Sequence, residues 1–212
     1  MQESSRVLQG ELSLYCSVTA SYSFLYDILS HFRNDYPGIE IKLHTGDPAQ
    51  AVERVTTGRE DIAIGARPDT LPRGVAFRPI LRSPLLFIAP ADQPDLAGAL
   101  NGPARADAWR DVPMILSEEG LSRQRLDQWF RALGVTPRIY AQVSGNEAIV
   151  SMVSLGFGVG VAPRIVLENS PLAERTRPLE VEPALEDYEV GLFTLEKRLT
   201  DPVIQAFWSQ LR

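Results

Sequence analysis

Residues Glu11–Phe32 read ELSLYCSVTASYSFLYDILSHF, a strand followed by a helix. Leu12, Leu14, Cys16 and Val18 alternate with Ser13, Tyr15 and Ser17, the period of a strand covered on one face. Phe24, Leu25, Ile28, Leu29 and Phe32 then recur at helical spacing until Tyr36-Pro37-Gly38 stops the helix. A polar corner, Ser17-Val18-Thr19-Ala20-Ser21, joins the two periods. The stretch is one β-turn-α unit, and the rest of the chain repeats its design.

Ile39, Ile41 and Leu43 alternate with Glu40, Lys42 and His44, and the next corner is Thr45-Gly46-Asp47-Pro48. Asp47 is placed there as a helix N-cap, with Pro48 at the first helical position and Ala51, Val52 and Val55 inward. Gly58 ends that helix, and the apolar run Asp61–Gly65 reads as a strand covered on both faces, closing at Ala66-Arg67. A second set of units begins with Leu85–Ala89. Met114–Leu116 precedes the corner Ser117-Glu118-Glu119-Gly120-Leu121-Ser122, and a helix is expected from Ser122, with Leu126, Trp129, Phe130 and Leu133 inward. Ile139, Ala141 and Val143 form a strand ending at Ser144-Gly145-Asn146-Glu147, with Asn146 expected to cap the next helix. Val159–Ala162 closes at Pro163, and Tyr188–Leu195 is a late strand followed by a helix opening at Asp201-Pro202.

Two sets of such units predict an α/β protein of two α/β subdomains. Leu81–Pro84 reads as a first crossing, and the late strand is expected to return to the first subdomain, which makes two hinge crossings beside an interdomain ligand cleft. In open α/β sheets ligands lie beyond the carboxyl ends of the strands, where helix N-termini offer unpaired N–H groups and a positive dipole end. A small acidic molecule is the ligand this pattern predicts.

Composition removes other classes. The chain has 212 residues, 44% of them apolar, enough to bury a substantial core. A net charge of −6, with arginines scattered and lysines only at Lys42 and Lys197, gives no basic field for nucleic acid. No apolar run approaches a membrane span, and Met1–Gly10 is too polar for a signal peptide, so a cytoplasmic protein with no membrane partner is expected. The lone Cys16 lies in an alternating strand and reads as a small buried hydrophobe.

Catalytic motifs are weak. There is no G-x-S-x-G elbow, and His31 and His44 fall on a helix and a strand rather than at corners. One cysteine and two distant histidines give no metal-ligand spacing, so neither a metal nor a cofactor is expected. Gly156-x-Gly158-x-Gly160 precedes a strand, whereas a dinucleotide fingerprint follows one, so these glycines read as a helix-to-strand turn. For any single corner, helix capping alone accounts for Ser, Thr, Asp or Asn; their joint placement at several strand ends is what favours a ligand. Arg67, just past a buried strand, could pair with a carboxylate.

Four stretches together resemble one family: Gly10-Glu11-Leu12-Ser13-Leu14, Phe32-Arg33-Asn34-Asp35-Tyr36-Pro37-Gly38-Ile39-Glu40-Ile41, Gly58-Arg59-Glu60-Asp61-Ile62-Ala63-Ile64 and Val153-Ser154-Leu155-Gly156-Phe157-Gly158-Val159-Gly160-Val161-Ala162-Pro163. The chain from Gly10 onward is similar to the effector-binding domain of LysR-type transcriptional regulators. Residues 16–23, 44–47, 145–153 and 167–171 resemble more narrowly the members that activate the gene for acetohydroxy-acid isomeroreductase in branched-chain amino-acid synthesis.

The resemblance implies a type 2 periplasmic-binding-protein-like fold, with residues 10–81 and 187–212 as subdomain I, 82–186 as subdomain II and 1–9 as the remnant of a linker. It implies pocket contributors Thr19, Ala20, Ser21, Thr45, Asp47, Ala66 and Arg67 in the first subdomain, and Ser117, Glu118, Ser144, Asn146 and Ala162 in the second. The implied effector is 2-acetolactate or 2-aceto-2-hydroxybutyrate, its carboxylate on the N–H groups of Thr19–Ser21. Homodimers or homotetramers are implied as well. Promoter DNA is expected to be bound only through an N-terminal helix-turn-helix that this sequence does not contain, with RNA polymerase as a further candidate partner. The expected role is a sensing domain rather than an enzyme. A transporter solute-binding protein is the alternative, and an enzyme such as a dehydratase on the same two-lobed fold a third reading.

Overall fold

The computed structural model describes residues 8–211; most of the expected linker remnant, residues 1–7, lies outside the described residues. The first unit opens with β1 (Gly10–Cys16), α1 (Val18–Tyr22) and α2 (Phe24–Asp35), followed by β2 (Ile39–Thr45), a 3-10 turn at Pro48–Gln50, α3 (Ala51–Thr56), β3 (Ile62–Ala66) and β4 (Val75–Ser83). The second unit contains β5 (Leu85–Pro90), α4 (Pro94–Leu100), β6 (Gly102–Pro103), α5 (Ala106–Trp109), β7 (Pro113–Ser117), α6 (Leu121–Leu133), β8 (Arg138–Val143), α7 (Asn146–Ser154), β9 (Val159–Pro163), α8 (Arg164–Glu168), β10 (Thr176–Pro178) and β11 (Val181–Glu182). The chain then returns as β12 (Tyr188–Leu195) and α9 (Pro202–Ser209). Compact units change at Leu81/Arg82 and at Tyr188/Glu189. The side chain of Tyr188 lies under the Arg125 guanidinium of the second unit, while the Glu189 carbonyl accepts the Arg67 N–H of the first.

Each unit is built on a mixed five-stranded sheet, with order β2-β1-β3-β12-β4 in the first and β10-β5-β9-β7-β8 in the second. In the first, β1 runs parallel to both β2 and β3, and the returning β12 enters antiparallel beside β3. In the second, β7 runs parallel to both β8 and β9, and β5 is antiparallel to β9. This arrangement matters for function: the carboxyl ends of β1, β2 and β3 share one edge of their sheet, and those of β7, β8 and β9 share one edge of theirs.

The periodicities become packing. Leu12, Leu14 and Cys16 are fully buried on β1, and Leu25 and Phe32 carry the inner stripe of α2, with Phe32 edge-on to Phe207 of α9. Burying side chains of this size contributes about 1.5–3 kcal/mol each. Tyr15, Ala51, Val55, Ala63, Val75 and Phe193 form a core on the first sheet, and Ile88, Ile115, Ile149, Val150, Val153, Ala162, Val166 and Leu167 one on the second. A ring cluster of Phe87, Trp109, Trp129 and Phe130 fills the second unit beside α6. Gly160 lies against that core: a Cβ there would meet Ile149 Cγ2 at 2.6 Å, so this glycine thins β9 beneath α7. His31 is exposed on α2, and Cys16 is buried as a hydrophobe.

The sequence suggested one helix after the first corner, but the structure has two. Ser23, at φ −111° and ψ −116°, breaks α1 from α2. Its hydroxyl donates to the Thr19 carbonyl at 2.6 Å, which turns a local side-chain bond into a helix stop.

Candidate ligand-binding site

Every corner residue named from the sequence falls at the carboxyl edge of one of the two sheets, but they are not equivalent once their partners are seen. Beyond β1, Ser17 has extended backbone and caps α1: its Oγ accepts the Ala20 N–H at 3.1 Å, and its carbonyl accepts the Ser21 N–H at 3.2 Å. The amides of Ala20 and Ser21, expected to hold a carboxylate, are therefore already bonded inside the corner. The Ser21 hydroxyl donates to the Val18 carbonyl at 2.6 Å. Thr19 and Ala20 are buried at the start of α1, with Thr19 2% exposed.

Beyond β2, Thr45 is an exposed strand-end residue opposite Cys16. Asp47 is a cap, as its position before Pro48 suggested, and its Oδ1 accepts the Ala49 N–H at 2.9 Å. The element it caps begins as a 3-10 turn that passes into α3. Its carbonyl accepts the Tyr15 hydroxyl at 2.8 Å, and burial raises the Tyr15 pKa above its ordinary value. Beyond β3, Ala66 pairs with Val190, and Arg67 holds the Glu189 carbonyl through its backbone N–H. The Arg67 guanidinium carbon lies 5.9 Å from the centre of the Phe77 ring, so this side chain packs along its own sheet.

The sequence reading missed what fastens this edge. Glu60, whose side chain is 1% exposed, takes a two-pronged bond from Arg54 (Nε to Oε2 at 2.6 Å, Nη2 to Oε1 at 2.5 Å) and a third from His44 Nδ1 at 2.9 Å. Arg54 also lies over the Tyr15 ring, 4.6 Å from its centre. Its pKa is pushed up chiefly by the hydrogen bond to Glu60. A buried carboxylate needs a cation, and Arg54, six positions before Glu60, supplies it.

The second unit is different. The helix expected from Ser122 starts one residue earlier, at Leu121, with Gly120 as its cap, and α7 is capped by Gly145 rather than by Asn146. Neither cap has a side chain to bond an amide, and both backbones take conformations that favour glycine: φ 98°, ψ −178° at Gly120 and φ 90°, ψ 143° at Gly145. Ser122 and Asn146 are thus displaced into the first turns. Ser117, Ser122 and Asn146 are nonetheless 8%, 6% and 6% exposed, and among the described residues no hydrogen bond reaches their side chains. The fully buried side-chain polar atoms without a partner, among the described residues, are Trp109 Nε1, Arg125 Nε and Gln210 Nε2. The polar atoms of Ser117, Ser122 and Asn146 therefore keep their remaining access to solvent.

Glu118 is exposed and uses its N–H on the Val143 carbonyl at 3.0 Å, and Ser144 is exposed at the end of β8. Glu147 folds back toward the α7 N-terminus: a Cβ on Gly145 would meet its Oε2 at 3.3 Å. The Ala162 methyl is fully buried in the core of the second unit, so only its backbone could face a ligand. Among the described residues no group of three or more His, Cys, Asp or Glu could hold a metal ion, and no helix is long and apolar enough to cross a membrane.

Comparison with known proteins gives this geometry a context. Residues 5–212 match the family model described as the LysR substrate binding domain. The HTH-type transcriptional activator IlvY of Salmonella typhimurium is 45% identical over 209 residues, covering 96% of this chain and 70% of that protein. The HTH-type transcriptional regulator IlvY of Escherichia coli is 44% identical over 207 residues, covering 96% and 69%. Among solved structures, the regulatory domain of Synechocystis PCC6803 CcmR, in complex with 2-PG, superposes with a TM-score of 0.79 at 28% identity, covering 96% of each chain. The architecture is type 2 periplasmic-binding-protein-like.

Proposed function

This chain belongs to the LysR family, as its substrate-binding domain, and on that premise we propose that it senses 2-acetolactate or 2-aceto-2-hydroxybutyrate for a transcriptional activator of isoleucine and valine synthesis. The observation that carries this reading is the 45% identity to an IlvY activator over 209 residues, 96% of the chain. Family membership also removes the transporter solute-binding reading, and the relatives are named as regulators of transcription, not as enzymes.

The strand-end corners supply suitable chemistry. A 2-hydroxy-3-keto acid offers a carboxylate, a hydroxyl and a carbonyl oxygen. Ser117, Ser122 and Asn146 provide hydroxyl and amide groups whose own protein partners are absent among the described residues, so a ligand gains hydrogen bonds without displacing protein ones. Thr19 stands at the corresponding corner of the first unit. Asp47, occupied as a cap, serves structure. DNA contact belongs to a helix-turn-helix segment of the whole regulator, consistent with the net charge of −6 here. Assembly is homodimeric or homotetrameric; β2 is an edge strand with Leu43 38% exposed, a surface that pairing would cover. The compartment is the cytoplasm, where promoter and RNA polymerase are.

Calorimetry with freshly prepared acetolactate tests the reading. Acetolactate binds and valine, whose ammonium group would face the positive ends of helices, does not. Tight valine binding with no response to acetolactate would end it.

A further inference from the structure

The corner Thr45-Gly46-Asp47-Pro48 rests on a single side chain of β1. Tyr15 is 2% exposed, and a Cβ at Gly46 would meet its Cζ at 3.1 Å and its Cε2 at 3.2 Å and collide with its hydroxyl oxygen, so the backbone of the corner lies directly on the ring. Gly46 is not among the glycines with positive φ, and it is this close approach that requires a glycine there. The Tyr15 hydroxyl donates to the Asp47 carbonyl at 2.8 Å, and the Gly46 N–H donates to the Cys16 carbonyl at 3.0 Å. From β3, Gly65 admits the next residue of the corner: a Cβ there would meet the Pro48 carbonyl oxygen at 3.1 Å.

Packing needs only the ring of Tyr15, which a phenylalanine would supply. The hydroxyl has a different job, since among the described residues it bonds the Asp47 carbonyl alone. The ring is itself held in place: the Arg54 guanidinium lies 4.6 Å from its centre and is fixed by two bonds to the buried Glu60. Burial raises the Tyr15 pKa above its ordinary 10.0, with the Arg54 cation opposing it, so the phenol stays a donor at neutral pH. Thr45, the exposed end of β2, comes immediately before Gly46 and pairs with Cys16, the residue that follows Tyr15. Where the Thr45 side chain stands therefore depends on bonds made on and beside Tyr15.

We propose that Tyr15 is a positioning residue of the effector site: without touching the ligand, its ring and hydroxyl fix the Thr45–Asp47 corner in the place from which the Thr45 hydroxyl bonds the effector. This rests on the sensing function proposed above. A corner fixed in this way loses its conformational freedom on folding rather than on binding, so the affinity for the effector carries no ordering cost at that corner.

The test is a double-mutant cycle read by calorimetry with acetolactate, together with amide hydrogen exchange of the ligand-free chain. Tyr15→Phe keeps the ring and the core. It speeds exchange at the amides of Gly46 and Ala49, the latter held by Asp47 Oδ1, by about 10-fold and leaves the amides of β3 unchanged. It also weakens acetolactate binding by about 3- to 10-fold. Thr45→Val weakens binding as well, and adding Tyr15→Phe to it has no further effect, whereas Tyr15→Phe and Thr19→Val multiply; a merely structural role for Tyr15 would multiply with both. Unchanged affinity in Thr45→Val, independent effects of Tyr15→Phe and Thr45→Val, or unchanged exchange at Gly46 and Ala49 overturn the positioning role and leave the sensing reading intact. If the wild-type chain binds no acetolactate, the sensing reading falls, and the exchange rates alone then decide whether Tyr15 orders the corner.

Discussion

Both units repeat the step from a parallel strand through a polar corner into a helix, yet they finish the corner by opposite means. In the first unit the corners close on themselves: Ser17 and Asp47 bond the helix amides, and Glu60, Arg54, His44 and Tyr15 tie the β2 end to its neighbours. In the second unit glycine caps leave the amides of α6 without side-chain partners, and the side chains of Ser117, Ser122 and Asn146 sit nearly buried with no hydrogen bond among the described residues. Satisfied polar groups stabilise a fold, and unsatisfied ones hold capacity for a ligand. The same residue type, serine at a strand end, is therefore bonded within the protein in one place and left without a side-chain partner in the other, and the surrounding backbone rather than residue identity decides which.

Substitutions can break this contrast. Glu60→Ala in the first unit removes a 1%-exposed carboxylate from a two-pronged bond to Arg54 and strands that cation, so stability in urea falls by about 3–5 kcal/mol. Gly120→Ala forces a Cβ into a backbone at φ 98° and ψ −178°, costing about 1–3 kcal/mol and displacing the α6 amides; thermal denaturation reads the first effect and loss of acetolactate binding the second. Ser17→Ala deletes the bond to the Ala20 N–H and loses about 1 kcal/mol. Ser122→Ala deletes a hydroxyl with no protein partner and changes stability by less than about 0.5 kcal/mol, although it lies as deep as a core residue. Equal stability losses in Ser17→Ala and Ser122→Ala would erase the distinction between the two kinds of corner.

Much of the architecture was legible because period and punctuation agree. The alternation of Leu12, Leu14 and Cys16 and the stripe of Leu25 and Phe32 each encode one buried face, and Asp47 and Asp201 announce their helices through a following proline. The corners were legible as a set but not in their division of labour. Ser122 and Asn146 look like caps in sequence, since Ser and Asn are the residues that cap helices best. Whether either does so depends on backbone torsions at the preceding glycines, which composition does not reveal. No period or punctuation in the sequence marks Glu60 as buried. Its burial follows from contacts with Arg54 and His44, where the fold brings the β2 end and α3 together. The face that Ala162 presents was not legible either: a strand end can face a ligand or the core, and its methyl lies in the core of the second unit.

The place of β12 bears on how the protein comes to exist. It lies between β3 and β4 in the first sheet, and its Thr194 hydroxyl donates to the Asp61 carbonyl at 2.7 Å across 133 positions of chain. On the ribosome, residues 82–188 emerge as one unbroken stretch and hold all five strands of their own sheet, whereas the earlier-made first unit must wait for Tyr188–Leu195 before β3 and β4 gain their common neighbour. The part synthesised first is completed last, and a nascent chain stalled before Tyr188 exposes two strand edges that invite pairing with other chains.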